Sequence, residues 1–244
     1  MVRFENVSFT YPSANKPSLQ DANLELRRGG FYGFVGQSGA GKSTLANLLL
    51  GLIDPTTGAV SVDGTTLREL SRSGWQRRFG YVPQDPYVLD DTVRENITFG
   101  VAADDEKVWE ALRRARLADV VGKLDGGLDA RVGERGRQLS GGQLQRLAIA
   151  RALFGSPDIL FLDEATSALD GITETELLGA LNELRGNTMI IMITHRLHSL
   201  RKCDGIFLLE NGVIVANGTY EELEQKSKPF RALRAINTAA LEDV

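Results

Sequence analysis

Hydrophobic and polar residues alternate from the start of the chain. Val2, Phe4, Val7, Phe9 and Tyr11 are separated by Arg3, Glu5, Asn6, Ser8 and Thr10, and Pro12 ends the run. A period near two predicts a half-buried strand, here read as an edge strand. The stretch Leu19–Leu26 predicts a second strand, closed by Arg28-Gly29-Gly30. Phe31–Val35 is short and almost wholly apolar, the pattern of a strand covered on both faces. A loop over residues 36–41 leads into a predicted helix over 42–52, with Leu45, Leu48, Leu49 and Leu52 on one face. Turn signals at Asp54-Pro55 and Thr57-Gly58 precede predicted strands over 59–62 and 79–82.

The texture changes over residues 86–136. Val108, Leu112, Ala115 and Leu117 recur at helical spacing amid charge, which predicts a mostly helical insertion. Strand and helix then alternate again. A helix is predicted over 143–154, stopped by Gly155 and Pro157, and another over 173–184. Buried strands are predicted over 159–162 and 189–193, and a hairpin joins 206–209 to 213–216 through Asn211-Gly212. That residue pair favours a type I′ turn.

Composition narrows the class. The 244 residues are 42% hydrophobic and 25% charged, ordinary for a globular protein. A net charge of −4 argues against a mainly electrostatic nucleic-acid binder. The single cysteine, Cys203, excludes an intramolecular disulfide and reads as a small buried hydrophobe. No apolar run reaches the ~18–20 residues of a spanning helix, and the N-terminus has no secretory apolar core. Glycine is in excess, at 26 residues. Such an excess suggests tight turns and loops where backbone approaches a ligand.

Gly36-Gln37-Ser38-Gly39-Ala40-Gly41-Lys42-Ser43-Thr44 fits the pattern G-x-x-x-x-G-K-[ST], between an apolar strand and an amphipathic helix. Glycines let backbone N–H groups curl around phosphate oxygens, and the helix N-terminus adds partial positive charge. Lys42 can reach the β- and γ-phosphates, the Ser43 hydroxyl can ligate Mg²⁺, and Thr44 can reinforce the α-phosphate contact. The bland alternative is a glycine-rich strand-to-helix turn.

The apolar run Ile159-Leu160-Phe161-Leu162 ends in Asp163-Glu164. Unpaired buried charge is costly, so paired acids there need a reason. Asp163 can hold a Mg²⁺ water shell, and Glu164 can polarise a water for attack on a γ-phosphate. The alternative is a solvated turn. Leu139-Ser140-Gly141-Gly142-Gln143 precedes a helix, which makes it either a second anion site or an ordinary N-cap. The residues alone leave both open.

The order of these motifs resembles the ATP-binding cassette (ABC) ATPases. LSGGQ resembles their signature motif, Tyr11 their adenine-stacking aromatic and Gln84 their glutamine-loop residue. Ser167-Ala168-Leu169-Asp170 resembles the D-loop, and His195 the switch histidine. The resemblance runs from about Val2 to Phe230.

That resemblance implies an α/β, P-loop NTPase fold: a RecA-like core with a mainly parallel sheet, an antiparallel β subdomain and an α-helical subdomain. One cassette would fill residues 1–244. Residues 1–85 would hold the β subdomain and the phosphate-loop part of the core, and 86–136 the helical insertion, extending into the signature helix to about 154. Residues 155–244 would complete the core. The implied ligands are ATP and Mg²⁺, with Ser43, Gln84 and Asp163 at the metal. Glu164, His195, Lys42 and Gln84 would serve hydrolysis, and Ser140, Gly141, Gly142, Gln143 and Asp170 would join the nucleotide site.

In the family, two such domains pack head to tail around two ATP. The implied partners are therefore a second nucleotide-binding domain and the transmembrane domains of a transporter, at the cytoplasmic face of a membrane, with no nucleic acid. Val132-Gly133-Glu134-Arg135-Gly136 resembles the exporter x-loop, with Glu134 toward a coupling helix. Residues 91–97 and Thr194-His195-Arg196-Leu197 are also similar to exporters. Leu89-Asp90-Asp91 departs from the commoner Phe-x-Gly form and is similar to some bacterial glycan- and lipid-linked exporters. The alternative is a free-standing ATPase subunit of an importer. His198 reads as a helix-face residue without chemistry.

Overall fold

A computed structural model describes residues 1–133, 136, 138–166 and 169–242, with side chains described to residue 236. Two sheets organise it. Strands β1 (Val2–Phe9) and β2 (Leu19–Leu26) open the chain, followed by β3 (Phe31–Val35) and helix α1 (Lys42–Leu49). Next come β4 (Thr57–Val62), β5 (Thr65–Thr66), α2 (Arg72–Gln76) and β6 (Phe79–Val82). A helical stretch holds α3 (Val93–Thr98), α4 (Asp105–Arg114), α5 (Ala118–Val121) and α6 (Gly141–Phe154). The remainder is β7 (Ile159–Asp163), α7 (Gly171–Glu183), β8 (Met189–Ile193), β9 (Gly205–Glu210), β10 (Val213–Gly218), α8 (Tyr220–Lys226) and α9 (Lys228–Glu242).

One sheet is antiparallel, ordered β2-β1-β4-β5. The other is ordered β10-β9-β3-β8-β7-β6, and only its β9–β10 hairpin is antiparallel. β1 is therefore an interior strand and not the expected edge. Its alternation slips by one residue between Phe4 and Val7, where the pairing with β2 also shifts register. Asn6 sits there at φ 50°. Its N–H donates to Asn23 Oδ1 at 2.9 Å, and Asn23 Nδ2 returns a bond to Asn6 Oδ1 at 3.2 Å. The slip in the sequence is thus a bulge whose polar groups are satisfied across the strand pair.

Successive residues of the buried strands serve two cores. Phe31, Val35, Leu160, Leu162, Ile190 and Met192 pack with Val108, Leu112, Leu147 and Leu177 on the helical side. Phe34, Phe161, Ile191 and Ile193 pack with Leu45, Leu48 and Leu49 of α1 and with Phe4, Leu24 and Val60 of the antiparallel sheet. Both faces are covered, so these strands show no polar alternation. Fully burying one such side chain is worth about 1.5–3 kcal/mol.

Three helix bounds differ from expectation. α1 ends at Leu49 rather than at 52, because Gly51 turns left-handed at φ 66° and Trp75 Nε1 donates to Leu49 O at 2.8 Å. Leu52 is consequently 53% exposed instead of continuing the apolar face. α6 begins at Gly141, two residues early, with Ser140 as N-cap. α7 begins at Gly171, because Asp170 rather than a later residue caps it.

Candidate functional site

The parallel strands β3, β6, β7 and β8 all end at the same edge of their sheet, so the loops after them meet. After β3 the backbone must pass close to its neighbours. A Cβ at Gly36 would lie 2.3 Å from Leu209 O, and one at Gly41 (φ 103°) would lie 2.6 Å from Ser18 O. Only glycine fits either position. Gly41 is the N-cap of α1 and offers no side-chain cap, which leaves the first-turn N–H groups to an outside acceptor.

Lys42 opens that helix and is 8% exposed. Its Nζ donates to Gly36 O at 2.7 Å and to Gln37 O at 2.9 Å. Burial lowers its pKa, and the nearby Glu164 and Asp163 carboxylates oppose that shift. The ammonium is therefore poised beneath the loop, between its carbonyls and two acids.

Asp163 ends β7 and accepts a hydrogen bond from Tyr81 Oη at 3.2 Å. Tyr81, on β6, stacks on Phe161, with ring centroids 5.9 Å apart. Burial, and then the Asp163 charge, push the Tyr81 hydroxyl up to about 12. It thus stays a donor that orients the carboxylate. Glu164 follows at φ 50°, its N–H bound to Ile193 O at 2.9 Å. This left-handed turn sends its side chain toward the end of β8, where His195 Nε2 lies 3.1 Å from Glu164 Oε2.

Ser38, Gly39, Gly41, Lys42, Ser43, Thr44, Gln84, Asp163, Glu164 and His195 all line one open cavity of about 890 Å³. Gly36 and Gln37 anchor Lys42 from behind, and Ala40 O accepts from Gly212 N at 3.0 Å. The cavity wall also includes Lys16, Ser18, Gln20 and Asn211, which sequence reasoning missed. The Asn211-Gly212 pair is legible as a turn (φ 49° and 82°) but not as a wall of this cavity.

Other expected residues stand outside this cavity. Tyr11 is 36% exposed and meets Phe9 edge-on, with ring centroids at 4.8 Å. Ser140 and Gln143 form a capping box: Ser140 Oγ accepts from Gln143 N at 3.3 Å, and Gln143 Oε1 accepts from Ser140 N at 2.8 Å. That is the N-cap alternative realised, with Gly141 and Gly142 as the first residues of α6. Asp170 accepts from Ile172 N, Thr173 N and Thr173 Oγ1. Backbone and hydroxyl bonds from Thr173 lead the effects that lower its pKa. Glu134 and Arg135 of the x-loop, with Ser167 and Ala168 of the D-loop, lie outside the described residues.

His198 lies on a short helical turn, Leu197–Lys202, with its Nε2 2.9 Å from Oε2 of the buried Glu174, a contact the sequence did not reveal. Cys203 is buried as expected. Among the described residues no helix is long and apolar enough to cross a membrane.

Residues 19–167 match the family described as ABC transporter. The ATP-dependent lipid A-core flippase of Escherichia coli strain K12 is 43% identical over 224 residues, which is 91% of this chain and 38% of the flippase. The flippase of Shigella flexneri gives the same figures. Among solved structures, a bacterial Atm1-family ABC exporter with ATP bound aligns at a TM-score of 0.89 and 36% identity. That match covers 97% of this chain and 42% of the exporter chain. The chain thus spans well under half the length of these relatives.

Proposed function

The chain belongs to the ABC transporter family, and from that premise we propose that it is the ATP-binding and ATP-hydrolysing motor region of an exporter. The observation that carries this is the convergence of Lys42, Gln84, Asp163, Glu164 and His195 on one cavity at the uncapped start of α1. A flippase and an exporter among its relatives support the exporter class over an importer subunit.

A magnesium nucleotide fits these residues. The first-turn N–H groups of α1 and the Lys42 ammonium suit the β- and γ-phosphates. Ser43, Gln84 and Asp163 offer oxygen donors, which suit a hard cation. Among the described residues no group of three or more His, Cys, Asp or Glu gathers into a metal site. The ion would therefore share its coordination with the phosphates. When bound, Mg²⁺ neutralises charge that develops on the transferring phosphoryl group.

The protein's own groups do the rest. Tyr81 holds the Asp163 carboxylate in place. Glu164 orients and polarises the attacking water, and His195 beside it donates to the γ-phosphate. Tyr11 supplies a ring face for the adenine. Ser140, Gly141, Gly142 and Gln143 lie outside this cavity, which suits a contact to ATP held by a second copy, with Asp170 at the same interface. The γ-phosphate then supplies the differential affinity that favours a closed dimer, and hydrolysis withdraws it. Transmembrane domains would convert that cycle into transport, which puts this region at the cytoplasmic face of a membrane. Phosphate release from ATP by the chain is the test: release that requires Mg²⁺ supports the reading, and none under any nucleotide contradicts it.

A further inference from the structure

A buried carboxylate outside the cavity is bound to the segment that carries His195. Glu174, in the first turn of α7, is 1% exposed. Three side chains from the stretch after His195 converge on it. Arg196 Nη1 donates to Oε2 at 2.8 Å, and His198 Nε2 lies 2.9 Å from the same oxygen. Ser199 Oγ donates to Oε1 at 2.5 Å. Burying a carboxylate is costly unless its oxygens are satisfied, and here both are. Burial pushes the Glu174 pKa up, but the bonds from Ser199, His198 and Arg196 outweigh it and hold the carboxyl below its ordinary value.

The same knot reaches two functional loops. Arg196 Nη1 also donates to Leu169 O at 3.1 Å, and Arg196 N to Thr194 Oγ1 at 2.9 Å. Residues 194–199 are thereby tied to the residues that open α7. The His195 side chain is 55% exposed, so packing does little to fix it. Its place depends on the backbone on either side: β8 before it, and the Glu174-anchored turn after it.

We propose that Glu174 is a positioning residue for hydrolysis, which holds His195 against Glu164 and fixes that turn to the 169–170 loop. It is buried and is not part of the cavity lining, and acts through the backbone of 195–199. The inference rests on the reading of Glu164 and His195 as the hydrolytic pair.

Glu174→Gln in the full chain tests it, because glutamine keeps the size but cannot accept all three donors. The expected result is a fall in kcat for ATP on the order of tenfold to a hundredfold, with ATP affinity held within about twofold. The chain has two histidines, so the His195 imidazole signal can be followed by NMR, and it should shift in the variant. Ser199→Ala removes one donor without unpairing the whole knot, and should lower kcat by less and shift the same signal. A lower melting temperature with kcat and the His195 signal at parent values would mean a structural role only, and overturns the inference. Should Glu174→Gln fail to fold, parent kcat and an unshifted signal in Ser199→Ala overturn it equally. Glu164→Gln run in parallel separates the failures. If that variant hydrolyses at the parent rate, the hydrolytic pair itself is wrong. If it is inactive while Glu174→Gln matches the parent, only the positioning role is wrong.

Discussion

His195 Nε2 and Glu164 Oε2 lie 3.1 Å apart, although the two residues leave different strands. Parallel pairing of β7 with β8 sets Asp163 beside Ile193, and the left-handed turn at Glu164 brings its carboxylate across. Sheet register and one strained φ angle thus bring the two side chains to one place.

Lys42→Ala should weaken nucleotide binding. A buried ammonium that bonds phosphate contributes about 1.5–3 kcal/mol, which is roughly tenfold to a hundredfold in Kd. Calorimetric titration with ATP measures this directly. Unchanged affinity would remove Lys42 from the phosphate site.

Ser140→Arg should spare the monomer and prevent pairing. Loss of the N-cap costs about 1 kcal/mol of helix stability, too little to unfold the chain. ATP should bind as before, while the ATP-dependent dimer disappears from gel filtration. A dimer peak equal to the parent's would exclude these residues from the interface.

Tyr81→Phe tests the support of Asp163. The Tyr81 hydroxyl is raised to about 12 in the folded chain, against ~10 when unfolded. Below the unfolded value both states keep the proton. As pH rises further the unfolded chain releases it first, so this contribution to stability is lost on the alkaline side. Urea midpoints compared from about pH 9 to about pH 11 should fall more steeply in the parent than in Tyr81→Phe. Parallel decline would show that Tyr81 is not held this way. The same variant should need severalfold more Mg²⁺ for half-maximal hydrolysis, because partners that orient a ligand tune metal affinity.

The sequence and the structure agree best where local chemistry decides the outcome. Gly36 and Gly41 sit where only glycine fits, and the strand run into Asp163-Glu164 can be read from the order of apolar and acidic residues alone. The short β3, β7 and β8 were legible because two-sided burial removes polar alternation. Long-range contacts were not legible. Nothing near Leu52 announces that Trp75 will cap α1 and leave that leucine exposed. β1 looks like an edge strand until β4 pairs with it. Glu174 reads as one more acid on a helix, because its three partners lie over twenty residues downstream. Tyr81 reads as a strand residue until β7 brings Asp163 alongside.

We propose that Glu164 prepares the water that attacks bound ATP. Phosphate release by Glu164→Gln, with ATP binding measured on the same sample, tests it most directly. The expected result is retained binding, hydrolysis slowed by about a hundredfold or more, and an ATP-bound dimer that accumulates. Hydrolysis at the parent rate, with ATP bound as tightly, would contradict it.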